Sequence, residues 1–260
     1  MRGHTREAGV RELERCLRRV FRKVARRHVE NGLELPVTAA PDDLRGYLGE
    51  AIWLETELRR TGSVGESLAL AYTGDGGEVL SVEATLVRGR GDLVLTGQLG
   101  DVMQESASAA WGYLLASAER DERLRPLLRA APWCGRKGLD VTQHDVRVHV
   151  PEGAVPKDGP SAGLPIAAAM LSALTGRPLR PRVALTGEIT LSGRVLRVGG
   201  LKEKLLAATR SGVRTVVLPE ANRASVAEIP AEIVARLDIR YVREFAEAVP
   251  LVVARRPRAD

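Results

Sequence analysis

The segment PKDGPSAG at residues 156–163 surrounds a single hydroxyl group, that of Ser161, with small and turn-forming residues. A strongly apolar stretch follows at once, and this order predicts that Ser161 lies at or near the N-terminus of a helix. Backbone N–H groups and the helix dipole favour negative charge there, and the oxyanion of an acyl transfer needs such donors. The segment indicates a nucleophilic serine, and its alternative is a serine that only caps a helix.

The second segment that could carry chemistry is GGLKEKLLAA at residues 199–208, where two lysines stand two positions apart. On a helix their side chains point about 200° apart, so only one of them can face the core. The small side chains near Lys204 favour this lysine over Lys202 as the inward one. A lysine among apolar groups has a lowered pKa and can act as a general base. The alternative is a solvated lysine face without a catalytic role.

The two segments together predict a Ser–Lys dyad. In such a dyad the lysine removes the serine hydroxyl proton and later protonates the leaving amine, so that no histidine is needed. This suits a chain whose four histidines are scattered along the sequence. The chain has five lysines among its 39 basic residues, and arginine stays protonated in proteins. Few side chains are therefore candidates for the base.

The composition argues against several other classes of protein. Two cysteines cannot build a disulfide scaffold, and neither a Cys/His metal-binding spacing nor a Walker-type phosphate-binding motif occurs. Aromatic residues make up only 3%, too few for a surface on which nucleic-acid bases stack. The charged N-terminus does not resemble a signal peptide, and no apolar run is long enough to span a membrane. We therefore expect a cytoplasmic protein that binds no metal and no membrane.

The order of the elements predicts an α+β fold. Residues 5–29 have the pattern of a basic amphipathic helix with Thr5 as its N-cap, and with the next turn of helix they form a small helical unit over residues 1–48. Residues 49–66 show no clear period and are predicted to be a linker. Residues 67–252 begin with strand-like runs separated as in β-hairpins and then alternate helices with strands.

Four features of the larger region are predicted in more detail. We expect a helix over residues 101–120, a basic irregular stretch over 121–143, an apolar helix that ends at Gly176, and a hairpin around Ser192-Gly193.

The segments HVPEGAVPKDGPSAG and TGEITLSGRVLRVGGLKEKLLAATRSGVRTVVLPEANR closely resemble the proteolytic domain of the Lon family of ATP-dependent serine proteases. The resemblance covers roughly residues 65–250 and includes TGQLGDVMQESA. It implies the Lon-type α+β fold and the hydrolysis of peptide bonds in unfolded or misfolded protein segments. It also implies a homo-oligomer, a hexameric ring that encloses the active sites.

The resemblance also assigns the site residue by residue. It implies that Ser161 is the nucleophile, that Lys204 is the base and that Thr186 supports the lysine. Asp158 flanks the nucleophile, in a loop that varies within the family. His149 corresponds to a histidine outside the direct contacts of the dyad, and a core or rim histidine without a role is its alternative.

The segment HTREAGVRELER at residues 4–15 resembles the start of a long helix in the small helical subdomain of Lon's ATPase module. It implies that Arg11 matches a sensor arginine that approaches ATP, and the alternative is one arginine among many on a basic helix. We expect no cofactor on this chain, and ATP with magnesium only where the missing ATPase module is present. The start within this subdomain suggests either an excised piece of a protease or a naturally short protein.

A function of another class is also open at this point. The net charge of +6 and the basic first helix would suit a non-catalytic Lon-like scaffold, or an assembly platform that binds DNA weakly and without sequence specificity.

Overall fold

The computed structural model describes residues 3–5, 7, 10–51, 61–74, 76–131, 134–135, 138–139, 143–151 and 157–254. The chain divides into two compact units: one comprises Met1–Glu57 with Thr73–Gly76, and the other Leu58–Tyr72 with Gly77–Asp260. Residues 52–60 of the predicted linker lie outside the described residues. In the part of the chain that is described, no helix is both long and apolar enough to cross a membrane.

The first unit is helical, with α1 over Arg11–Asn31, a 3₁₀ turn over Pro41–Asp43 and α2 over Leu44–Leu48. The prediction that α1 starts with Thr5 as its N-cap is wrong, because the helix begins at Arg11. The carboxylate of Glu7 accepts the backbone N–H groups of Glu12 and Leu13 at 3.0 and 2.9 Å, and these bonds lower the pKa of Glu7. A carboxylate upstream of the first turn thus replaces the hydroxyl cap, since it satisfies two N–H groups that lack helical partners.

The second unit is built on a sheet whose strands run in the order β11-β10-β7-β1-β2-β6-β3. Two short hairpins, β4–β5 and β8–β9, stand beside it. The strands are β1 Glu66–Thr73, β2 Gly76–Arg88, β3 Leu93–Thr96, β4 Cys134–Gly135, β5 Gly138–Leu139, β6 His144–His149, β7 Val183–Leu185, β8 Glu188–Ile189, β9 Val195–Leu196, β10 Thr215–Pro219 and β11 Asp238–Val242.

The helices of this unit follow the strands in sequence. They are α3 Asp101–Arg120, α4 Arg125–Arg129, α5 Gly163–Thr175, α6 Leu201–Arg210, α7 Arg223–Ala227, α8 Ala231–Val234 and α9 Phe245–Val252, with 3₁₀ turns at Pro160–Ala162 and Glu220–Asn222. The α+β prediction is confirmed, as are the helix over 101–120, the helix that ends at Gly176 and the hairpin around Ser192-Gly193. The stretch 121–143 is less irregular than predicted, because it contains α4 and the short strands β4 and β5.

One topological expectation is wrong: β2 and β3 do not form a hairpin. Strand β6 lies between them, antiparallel to β2 and parallel to β3. The carboxylate of Asp145 on β6 accepts the backbone N–H groups of Arg90, Gly91 and Asp92. These bonds hold the loop that follows β2 against β6, where a hairpin would have a tight turn. These bonds also lower the pKa of Asp145.

Successive residues of the central strands point to opposite faces of the sheet. On β10, Val217 belongs to the core that contains α3 and α5, whereas Val216 and Leu218 belong to the core that contains α6. The sheet is therefore covered by helices on both faces. Helix α5 is apolar on all sides, and nearly all of its residues are buried, as expected for a helix enclosed by other elements.

A truncation inside α5 tests this packing. Leu171 is fully buried in the core around α5, so Leu171→Ala should leave a cavity and lower the free energy of unfolding by about 3 kcal/mol. Urea unfolding followed by circular dichroism measures the change. Leu191→Ala is the matched control, because Leu191 is 68% exposed. Equal losses of stability in the two variants would contradict the described core.

Candidate active site

Ser161 lies in the 3₁₀ turn Pro160–Ala162 that leads directly into α5, and it is half-buried. Its carbonyl oxygen accepts the N–H of Gly187 at 2.9 Å, and the N–H of Leu164 donates to the carbonyl of Gly187 at 2.9 Å. The start of α5 is thereby attached to the segment that follows β7. Gly163 leaves no room for a side chain, because a Cβ there would come within 2.5 Å of Ser106 Oγ.

The loop before the serine is attached to α3. Asp158 Oδ1 accepts the N–H groups of Met103 at 3.0 Å and of Gly159 at 2.8 Å, so its carboxylate caps the N-terminus of α3. Ser106 on α3 donates to the carbonyl of Pro160 at 3.1 Å. Gly159 has a φ of 131°, a conformation that favours glycine. Helix α3 therefore positions the turn on which Ser161 stands.

Lys204 is the fourth residue of α6 and has only 2% of its surface exposed, whereas Lys202 is exposed. This is the orientation that the helical spacing favours. Lys204 Nζ donates to Thr186 Oγ1 at 3.0 Å. Burial lowers the pKa of Lys204 from its ordinary value of 10.5 to about 8, because an ammonium group loses its hydration there. An appreciable fraction of the side chain is therefore neutral near neutral pH.

Thr186 connects the lysine with the serine segment. It follows the last residue of β7, is fully buried, and its N–H donates to Val217 O on β10 at 3.2 Å. Its hydroxyl accepts from Lys204 Nζ and donates to the carbonyl oxygen of Ser161 at 3.4 Å. A hydroxyl has one donor and two acceptor positions, so both bonds form together. Among the described residues Ser161 Oγ has no hydrogen bond with Lys204 Nζ, and Thr186 links Nζ to the backbone carbonyl of Ser161 and not to its hydroxyl.

The remaining predicted site residues lie elsewhere. His149 is exposed on β6, and its Nδ1 lies 2.8 Å from Thr96 Oγ1 on the neighbouring strand β3. Arg11 is exposed at the first residue of α1, in the other compact unit. The structure thus places Ser161, Thr186 and Lys204 together, with Asp158 in the loop that leads to the serine.

Ser106 was not predicted as a site residue, although its hydroxyl donates to the carbonyl of Pro160, the residue before Ser161. The helical period could have indicated that Ser106 faces the core, because it recurs at three- and four-residue steps with Met103, Ala107 and Ala110. All four residues are buried in the structure. A polar residue on the buried face of a helix needs a hydrogen-bond partner inside the protein. In the described ranges no group of three or more His, Cys, Asp or Glu side chains could hold a metal ion.

Comparisons with known proteins show the family of the chain. Residues 38–255 match the family model of the Lon protease (S16) C-terminal proteolytic domain, and residues 1–37 match that of the Lon protease AAA+ ATPase lid domain. The chain belongs to the Lon protease family. This result makes the non-catalytic scaffold the less favoured interpretation of the sequence.

Several Lon proteases are similar to almost the whole chain. Lon protease 1 of Thermus thermophilus is 46% identical over 249 residues, Lon protease of Desulfovibrio desulfuricans 44% over 255 residues, and Lon protease of Roseiflexus castenholzii 47% over 253 residues. These alignments cover 96–97% of this chain and 27–30% of the relatives. The chain therefore spans less than a third of the length of these Lon proteases.

The burial of the Lys204 amine predicts a measurable loss of stability. Between pH 8 and 10.5 the unfolded chain holds a proton on Lys204 that the folded chain has released, so the free energy of unfolding should rise with pH across this window. At pH 7 the buried ammonium destabilises the fold, and Lys204→Met should raise the free energy of unfolding by about 2 kcal/mol. Urea unfolding at pH 7 and at pH 10 measures both effects.

Lys202→Met is the matched control for this variant, since Lys202 is exposed on the same helix and should leave stability nearly unchanged. A loss of stability in Lys204→Met at pH 7, or an effect equal to that of Lys202→Met, would contradict the predicted cost of burying the Lys204 ammonium.

Proposed function

We propose that this chain is a serine peptidase that cleaves peptide bonds in unfolded or misfolded protein segments through an acyl-enzyme on Ser161, with Lys204 as its general base. The observation that carries the proposal is the position of the buried Lys204 amine, which is hydrogen bonded to Thr186 while Thr186 is bonded to the carbonyl of Ser161. Membership of the Lon protease family supports the same chemistry.

The first half of the reaction forms the acyl-enzyme. Neutral Lys204 takes the proton of Ser161 Oγ as this oxygen attacks the carbonyl carbon of the substrate. In the substrate complex Oγ and Nζ must come within about 3.2 Å of each other. The N–H of Ser161 stands in the first turn, where a helical carbonyl partner is lacking, and it is suited to stabilise the oxyanion.

The second half releases the products and restores the site. The Lys204 ammonium gives its proton to the leaving amine as the C–N bond breaks, which returns the lysine to its neutral form. A water molecule then attacks the acyl-enzyme, with Lys204 as the base for the second time. The second tetrahedral intermediate collapses, the carboxylic acid product leaves, and Lys204 returns the proton to Ser161 Oγ. Thr186 holds the lysine near the serine in both halves.

Further parts of the proposal come from the family. We infer that the peptidase acts in the cytoplasm, in a homo-oligomeric hexameric ring, and that ATP with magnesium is used by the ATPase module of which residues 1–37 resemble the lid. Arg11 is the residue of this chain that would approach the ATP phosphates. Asp158 and His149 would act indirectly, through the loop before Ser161 and through the rim of the site.

We infer that DNA binding by α1 is weak, non-specific and easily reversed by salt. Three of its arginines already form exposed ion pairs with carboxylates of the same helix, namely Arg15–Glu12, Arg18–Glu14 and Arg26–Glu30. These pairs lower the net positive charge that α1 presents to a phosphate backbone.

Activity on a fluorogenic peptide tests the proposed function. The wild-type chain should hydrolyse the peptide, and kcat/KM should rise about tenfold per pH unit up to pH 8, where Lys204 becomes neutral, and then level off. Ser161→Ala should lower kcat/KM by at least about a thousandfold, because it removes the nucleophile. Ser108→Ala, an exposed serine on α3, is the control and should retain activity. Equal turnover by wild type and Ser161→Ala would refute the proposal.

Substrate structure gives a second test. The chain contains no Walker-type phosphate-binding motif, so these 260 residues by themselves should degrade an unfolded protein but leave a stably folded fluorescent protein intact. Addition of ATP should change neither rate. Gel electrophoresis and fluorescence follow the two substrates. ATP-stimulated degradation of the folded substrate by the purified chain would contradict this prediction.

A further inference from the structure

Asn222 is a fully buried polar residue in the short 3₁₀ turn that follows β10, and the reaction scheme does not involve it. Its side-chain amide makes two hydrogen bonds with one residue. Val198 N donates to Asn222 Oδ1 at 3.0 Å, and Asn222 Nδ2 donates to Val198 O at 2.9 Å. The amide thus binds the backbone of Val198 as a neighbouring strand would, with one donated and one accepted bond.

The segment that Asn222 holds leads into the helix of the proposed base. Val198 stands two residues before Gly200, the N-cap of α6, which has a φ of 65°. The N–H of Lys204 donates to the carbonyl of Gly200 at 3.0 Å, so Gly200 begins the helical turn that carries this lysine. The position of the 198–200 segment therefore sets the position of the Lys204 backbone.

Strand β10 is the common support of both ends of the Lys204 side chain. Its residue Val217 accepts the N–H of Thr186, whose hydroxyl holds Nζ. Asn222 follows the same strand by three residues and holds the segment before α6. Hydrogen bonds from β10 and from the turn after it thus fix both the backbone before Lys204 and the partner of its amine. Gly77 on β2 also lies close to α6, because a Cβ on Gly77 would lie 1.9 Å from Glu203 O.

We propose that Asn222 is a positioning residue of the Ser–Lys peptidase, and that its two bonds to Val198 hold α6 where Lys204 Nζ stays buried against Thr186. The inference rests on the proposed function, since it assigns to Asn222 the geometry of the proposed base. Asn222 acts through the backbone and touches neither substrate nor the reacting atoms.

Loss of these two bonds should raise the pKa of the Lys204 amine. A 198–200 segment that is no longer held lets α6 shift, and water then reaches Lys204. Burial is the cause of the lowered pKa of Lys204, and no charged side chain of the described residues contributes to it. The Thr186 hydroxyl, in the segment after β7, contacts Nζ, while on α6 itself Lys202 is exposed and Glu203 is half-buried. Hydration should therefore raise the pKa of Lys204 toward its ordinary value of 10.5.

The experiment compares pH profiles of the full chain. The dependence of kcat/KM on pH is measured with a fluorogenic peptide from about pH 6 to about pH 10 for wild type, Asn222→Ala and Asn222→Ser. We expect the midpoint of the rising limb to move up by about one pH unit in Asn222→Ala, which lowers kcat/KM at pH 7 about tenfold. The plateau at high pH should be largely kept, because the same lysine still serves as the base.

Ser172→Ala is the matched control. Ser172 is fully buried in α5, and its hydroxyl accepts the N–H of Gly65 at 2.8 Å and donates to the carbonyl of Arg177 at 2.6 Å. This variant also removes one buried polar group with two backbone bonds, so its thermal stability should fall comparably. It should leave the midpoint of the pH profile unchanged, because Ser172 does not hold α6.

A direct reading of Lys204 separates this proposal from the proposed function. In a Ser161→Ala background, the rate at which acetic anhydride acetylates Lys204 is measured against pH by peptide mass spectrometry, with and without Asn222→Ala. An upward shift of the Lys204 midpoint supports the proposal even if wild type shows no peptidase activity, which would refute the proposed function alone. Should Asn222→Ala fail to unfold cooperatively, Asn222→Ser supplies both readings. Unchanged midpoints in a folded Asn222 variant would overturn the proposal.

Discussion

The burial of one amine, that of Lys204, is the interaction on which the rest of the site depends. An ammonium group in this position loses its hydration, which lowers the pKa of the lysine to about 8 and destabilises the fold near neutral pH. The same loss of hydration lets the amine become neutral near neutral pH without a neighbouring histidine. The surrounding structure must supply a single hydrogen-bond partner and exclude water, and Thr186 with the core of α6 meets both requirements.

The sheet separates two hydrophobic cores, and the serine segment and the lysine, which belong to different cores, meet at the end of β7. Helix α5 and the serine turn belong to one face, and α6 with the lysine belongs to the other. Thr186 follows β7 between them and is bonded to both segments. A small displacement of either helix would change the distance between Ser161 and Lys204. The hydrogen bond of Asp158 with the start of α3 and that of Ser106 with Pro160 therefore help to fix this distance.

The sequence predicts those parts of the fold and site that follow from local patterns. The bounds of α3, the end of α5 at Gly176 and the orientation of Lys204 all follow from helical period and glycine stop signals. The insertion of β6 between β2 and β3 could not be predicted, because strand order depends on pairing between distant segments. For the same reason Pro160, the partner of Ser106, could not be predicted, because it lies 54 residues away in sequence.

The most direct test of the account is the pKa of Lys204 in the resting protein. With only five lysines in the chain, selective isotope labelling and NMR can follow each side chain separately, and the resonance that disappears in Lys204→Met identifies the relevant one. We predict that this resonance titrates near pH 8 in the wild-type chain. A midpoint near the ordinary value of 10.5 would mean that the amine is hydrated and protonated at neutral pH, and would contradict the assignment of Lys204 as the base.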